Sequence, residues 1–124
     1  MSKILIVDDD VTITMLLQTL VKMEGHTPTT VNDSTKVIDL ASSVGPDLIT
    51  LDLMMPGLSG FDLCELLRQQ PALSNIPILI VSARDDPESK QRAMNAGAKD
   101  YLTKPFTADE LMQKINQLTN SSPA

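Results

Sequence analysis

The chain has 124 residues, 42% of them apolar and 21% charged, the make-up of one compact globule with its own core rather than of a disordered segment. Sixteen acidic against ten basic residues leave a formal charge of −6, and the scattered bases argue against nucleic-acid binding, because phosphate contacts need clustered Lys or Arg. A single cysteine, Cys64, rules out an internal disulfide, and no apolar run approaches the roughly 20 residues that span a bilayer. The N-terminus has no signal-peptide pattern, so the expected location is cytoplasmic.

The first apolar run, Ile4-Leu5-Ile6-Val7, ends on three carboxylates, Asp8, Asp9 and Asp10. Ile13, Leu16, Leu17, Leu20 and Val21 recur at i, i+3, i+4, i+7 and i+8, which predicts an amphipathic helix over 11–24 stopped by Gly25. His26, just past that glycine, is expected to be exposed. A weaker strand lies near 29–32, where Pro28 suits a sheet edge. After Asp33-Ser34, which can cap, Val37, Ile38, Ala41 and Val44 restore the helical period until Gly45-Pro46 ends it. The strand at 47–51 runs into Asp52 and then turns through Leu53-Met54-Met55-Pro56-Gly57. A helix carrying Leu63, Leu66 and Leu67 stops before Pro71, and Cys64 within it reads as a buried small hydrophobe. The strand at 78–81 runs into Ser82-Ala83, and a helix spans Pro87 to Gly97. The strand at 100–102 contains Tyr101 and leads through Thr103 into Lys104-Pro105. A final helix opens on the capping-box spacing Thr107–Glu110 and buries Leu111, Ile115 and Leu118.

Strands that are apolar almost throughout are buried on both faces, as in a parallel sheet covered by helices above and below. The order is (βα)5, which predicts an α/β, flavodoxin-like doubly wound domain with strand order 2-1-3-4-5. It occupies residues 1–119, with 120–124 a polar tail or the start of a linker. In that order the first and third strands are neighbours at the switch point, so Asp8, Asp9 and Asp52 meet on one rim with Ser82 and Lys104. Carboxylates in such proximity repel, and they either raise their pKa values or hold a divalent cation. An all-oxygen donor set suits Mg²⁺ rather than zinc. Asp10 is the acid expected to cap the first helix, and Met55 reads as core. A carboxylate beside a divalent cation is a nucleophile already ionised at neutral pH, and the electrophile the rim suits is a phosphoryl group.

Those residues carry a resemblance over 2–119. Ile4-Leu5-Ile6-Val7-Asp8-Asp9-Asp10, Asp52-Leu53-Met54-Met55-Pro56-Gly57-Leu58-Ser59-Gly60, Val81-Ser82-Ala83 and Tyr101-Leu102-Thr103-Lys104-Pro105-Phe106 resemble the receiver domain of bacterial two-component response regulators. The resemblance implies that Asp52 accepts a phosphoryl group from a sensor histidine kinase or a phosphotransfer protein. It further implies that Asp8, Asp9, Asp52 and the Met54 backbone carbonyl hold Mg²⁺, that Lys104 contacts the phosphoryl group, and that the Lys104–Pro105 bond is cis. Ser82 and Tyr101 match the family's switch pair, which changes the face of the fourth helix, fifth strand and fifth helix. Met54 stands at a position that influences the lifetime of the mark.

The implied partners downstream are an output domain or target protein, and a phosphorylation-dependent homodimer. No enzymatic activity is implied beyond self-phosphorylation and slow autodephosphorylation. The alternative is a haloacid-dehalogenase-like Mg²⁺ phosphatase with Asp8 as nucleophile. Val11 stands where that family wants glycine, no later acidic metal motif follows Lys104, and Asp52 is left without a role.

Overall fold

The computed structural model describes residues 2–119; the stretch 120–124, expected as a tail or linker, lies outside them. Strands Lys3–Val7 (β1), Thr27–Val31 (β2), Leu48–Leu51 (β3), Ile78–Ser82 (β4) and Asp100–Thr103 (β5) form one parallel sheet in the order β2-β1-β3-β4-β5. Helices Val11–Met23 (α1), Val37–Val44 (α2), Gly60–Gln69 (α3), Pro87–Ala96 (α4) and Ala108–Thr119 (α5) alternate with them, giving the expected doubly wound fold.

The period-2 alternation of each strand sorts the core into two layers. Leu5, Val7, Ile49, Leu51, Ile78 and Ile80 face one way, against Val37 and Ala41 of α2, Leu63 and Leu67 of α3, and Ala93 of α4. Ile4, Ile6, Leu48, Leu79, Val81 and Leu102 face the other way, against Leu17 and Val21 of α1 and Leu111 and Ile115 of α5. Cys64 is buried in the first layer, where desolvation pushes its thiol up to about 12, so it is a packing residue and not a nucleophile.

Four local expectations need correction. Leu16 is 46% exposed, because the inward stripe of α1 is narrower than the sequence period suggests and runs through Ile13, Leu17 and Val21. His26 is half-buried, its Nδ1 accepting the Ser2 N–H at 3.1 Å. β2 begins at Thr27 and includes Pro28: the Thr27 N–H donates to the Ser2 carbonyl at 2.9 Å, so the alternate residue Pro28 turns its missing N–H to the open edge. The segment after Asp33 also opens on one 3-10 turn, Ser34–Lys36, before α2 proper.

Register places the site. Val7 pairs with Leu51, so Asp8 and Asp52 leave neighbouring strands side by side, and the Asp52 N–H donates to the Val7 carbonyl at 3.1 Å. Ser82 pairs with Thr103, which sets Lys104 just beyond the end of β4, its N–H on the Ser82 carbonyl at 2.8 Å.

Candidate functional site

Asp8, Asp9 and Asp52 each offer a carboxylate oxygen, and these oxygens lie within 4.8 Å of one another. Asp8 and Asp52 are only 2% and 7% exposed, whereas Asp9 is open to solvent. Lys104 reaches in from the end of β5 with its Nζ 2.8 Å from Asp8 Oδ2 and 3.6 Å from Asp52 Oδ2. The Lys104–Pro105 peptide is cis. The other oxygen of Asp8 accepts the Asp10 N–H at 2.9 Å, while the Asp10 side chain caps α1 by accepting the Thr12 N–H at 2.9 Å.

Two of the three carboxylates, Asp8 and Asp52, thus share one ammonium. Burial, and then the neighbouring Asp8 charge, push the Asp52 carboxyl above its ordinary range; Lys104 and the Met54 N–H, 3.2 Å from Asp52 Oδ1, pull the other way. The net upward direction means that the ionised form of Asp52 is disfavoured here, first by burial and then by the neighbouring Asp8 charge. The donor set is oxygen only, clustered and partly open, and so it fits a hard divalent cation such as Mg²⁺.

Ser82 is fully buried at the end of β4, its Oγ accepting the Arg84 N–H at 3.3 Å. Tyr101, in β5 opposite Ile80, donates its hydroxyl to the Arg84 carbonyl at 2.5 Å, and the Lys90 ammonium lies 5.6 Å from its ring centre. Burial pushes the Tyr101 hydroxyl above its ordinary range, partly offset by Ser82 beside it. Ser82 and Tyr101 therefore meet the same short segment, the loop between β4 and α4. The Met54 side chain is 55% exposed at the rim and its Sδ lies 3.8 Å from Arg84 Nη1, whereas Met55 is buried in the core.

Several residues that build the rim escape sequence reasoning. Gly60 opens α3 directly under the β3 end, where a Cβ would come within 2.4 Å of the Asp52 carbonyl oxygen. The helix that supports the Asp52 loop can approach only because that side chain is missing; the sole signal is a glycine following the Ser59 cap. Arg84 is exposed and reads in sequence as an ordinary surface charge. Asn32 reads as the end of a weak strand and Ser34 as a cap residue, although both bond to site loops.

The chain belongs to the response regulator receiver domain family, whose model matches residues 4–116. It is 38% identical over 118 residues to the DNA-binding dual master transcriptional regulator RpaA of Synechocystis sp., an alignment covering 95% of this chain and 49% of that protein. It is 38% identical over 120 residues to the alkaline phosphatase synthesis transcriptional regulatory protein PhoP of Bacillus subtilis, covering 97% and 49%. The chain thus spans about half the length of these curated relatives. Among solved structures it is similar to a Francisella response regulator 1452 receiver domain, with TM-score 0.91, 36% identity and 99% and 100% coverage. Against the Vibrio cholerae chemotaxis protein CheY4 the TM-score is 0.91 at 29% identity, covering 95% and 98%. Among the described residues no helix is long and apolar enough to cross a membrane.

Proposed function

We propose that this receiver domain is a phospho-accepting switch in which Asp52 takes a phosphoryl group from a phosphohistidine of a sensor kinase or phosphotransfer protein. The observation that carries this reading is the Asp52 carboxylate itself: nearly buried, two acids within 4.8 Å and a single ammonium 3.6 Å away. Asp8, Asp9, Asp52 and the Met54 carbonyl would hold Mg²⁺, which when bound supplies positive charge against the phosphoryl oxygens. An Asp52 carboxylate oxygen attacks phosphorus; the O–P bond forms, the P–N bond to the donor imidazole breaks, and the imidazole leaves with its electron pair and takes a proton from solvent. Lys104, already poised between Asp8 and Asp52, follows the new charge to a phosphoryl oxygen. The product is an acyl phosphate, which water reverses by cleaving the O–P bond.

Ser82 and Tyr101 couple that event to the surface. A phosphoryl oxygen on Asp52 offers the Ser82 hydroxyl an acceptor, drawing on the loop through Arg84, whose carbonyl receives Tyr101. The face of α4, β5 and α5 then presents the altered surface to an output domain, a target protein or a second phosphorylated copy; sedimentation of an unchanged monomer after phosphorylation would remove the dimer. The phosphatase reading with Asp8 as nucleophile gains no support, since the family that the chain matches over residues 4–116 is the receiver domain and that reading leaves Asp52 without a role. Intact-mass spectrometry with acetyl phosphate tests the switch: a Mg²⁺-dependent gain of one phosphoryl group is expected, absent in Asp52→Asn. A gain indifferent to Asp52→Asn but lost in Asp8→Asn would favour the phosphatase.

A further inference from the structure

The edge strand β2 supplies none of the acids of the rim, yet the turn that leaves it is bonded to both loops that do. On one side, Asn32 Nδ2 donates to the Asp8 carbonyl at 2.8 Å and to Thr14 Oγ1 at 3.1 Å. Beside that contact, the Asp8 N–H donates to the Val31 carbonyl at 3.2 Å. On the other side, Ser34 Oγ donates to the Pro56 carbonyl at 3.1 Å and accepts the Leu58 N–H at 3.2 Å, in the loop that follows Asp52. Asp33, between them, is committed to the turn itself, accepting the Thr35 N–H at 3.0 Å and the Thr35 hydroxyl at 2.7 Å. A cleft of about 450 Å³ lined by Asp9, Asn32, Ser34, Met55 and Gly57 separates the two loops, so the turn is a bridge across their outer side.

We propose that Asn32 and Ser34 are positioning residues that set the spacing of Asp8 and Asp9 against Asp52, and with it the affinity of the rim for a divalent cation. The proposal rests on the cation-holding reading above. Carboxylates whose oxygens lie within 4.8 Å repel one another, so loops free to relax would spread them apart before a cation arrives. The two side chains oppose that spreading through main-chain contacts. Both are neutral, so they add no charge to the site; what they change is its geometry. Ser34 is buried and its hydroxyl is used as donor and acceptor at once, so removing it releases the second loop. Asn32 is exposed, so its removal releases the first loop without opening a cavity.

Calorimetric titration of the full chain with Mg²⁺, paired with thermal melts in its absence, tests this on the wild type, Asn32→Ala, Ser34→Ala, the double variant and Ser34→Thr. Arg68→Ala, at the opposite end of the sheet, serves as a control for general destabilisation. Each alanine variant is expected to weaken Mg²⁺ about tenfold, the usual cost of losing an outer-shell partner, and the double variant by more than either. Ser34→Thr, which keeps the hydroxyl, restores affinity, and Arg68→Ala lowers the melting temperature while binding Mg²⁺ as the wild type does. Alanine variants of unchanged affinity, or an Arg68→Ala variant weakened as much as they are, overturn the proposal. A wild type that binds Mg²⁺ and accepts the phosphoryl group beside such variants sinks the bridge alone; a wild type that binds no Mg²⁺ sinks the functional reading with it.

Discussion

The two ends of the sheet use their polar side chains in opposite ways. At the end where strands begin, they pair with the backbone or, as Lys114 does with Asp100 at 2.9 Å, with one another. Arg68, near the close of α3, gives Nε and Nη2 to the Gly97 carbonyl at 3.0 and 2.7 Å and Nη1 to the Ile76 and Ser74 carbonyls at 2.8 and 3.0 Å. Asp47 accepts the Lys3 N–H at 2.8 Å, and His26 accepts that of Ser2. At the end where strands finish, three carboxylates cluster, and the two that are almost buried share one ammonium. The first end is a set of completed hydrogen bonds; the second holds charge that its own protein does not balance. The two ends differ in what a side chain does there: Arg68 at the first completes the hydrogen bonds of the fold, whereas Asp52 at the second is a nearly buried carboxyl whose charge costs stability.

Substitutions at the two ends sharpen that contrast. Arg68→Ala removes a charged donor from several carbonyls at once and should lower stability by about 2–3 kcal/mol in denaturant unfolding, with no change in the rate of phosphoryl uptake. Arg68→Lys should recover little, since one ammonium cannot match the guanidinium fork. A slowed uptake in either variant would break the separation of the two ends. Gly60→Ala forces α3 away from the Asp52 carbonyl and should cost about 2 kcal/mol while also slowing uptake, because the helix it displaces carries the loop after the acid.

Asp52→Asn should do the reverse of an ordinary polar deletion. In Mg²⁺-free buffer at neutral pH it is expected to raise the melting temperature by about 4 °C. The sign follows from linkage: a carboxyl whose folded pKa is raised costs stability as pH climbs through that range, so the variant's advantage exists at neutral pH and shrinks as acid protonates the wild type. A melting temperature below that of the wild type would contradict the uncompensated-charge reading. The smallest effect is expected at Thr50, inside β3, where Oγ1 is a buried hydroxyl with no hydrogen-bond partner. Thr50→Val should gain about 0.5–1 kcal/mol and leave phosphorylation alone.

Much of this was legible in the sequence because the signals are local. An apolar run ending on an acid, hydroxyl or lysine is visible within ten residues, and right-handed crossovers then order the strands. The Thr107–Glu110 capping box is equally local, and both of its reciprocal bonds form. What escaped depends on distant partners. Arg68 looks like a solvated helix charge until the Gly97 carbonyl is placed 29 positions away, and Asn32 like the end of a weak strand until Asp8, 24 positions earlier, is brought beside it. Gly60 is a glycine for steric reasons set by another element's backbone. Leu16 fits the helical period but lies just outside the angular width that the sheet covers.

On the reading proposed above, the acid at the end of β3, Asp52, carries the phosphoryl group. Borohydride reduction of the acetyl phosphate-treated protein, followed by peptide mapping, addresses it directly, since an acyl phosphate is reduced to the alcohol and marks its own position. Homoserine is expected at position 52, formed only when Mg²⁺ was present. Homoserine at position 8 or 9, or none anywhere despite a phosphorylated intact mass, would contradict it.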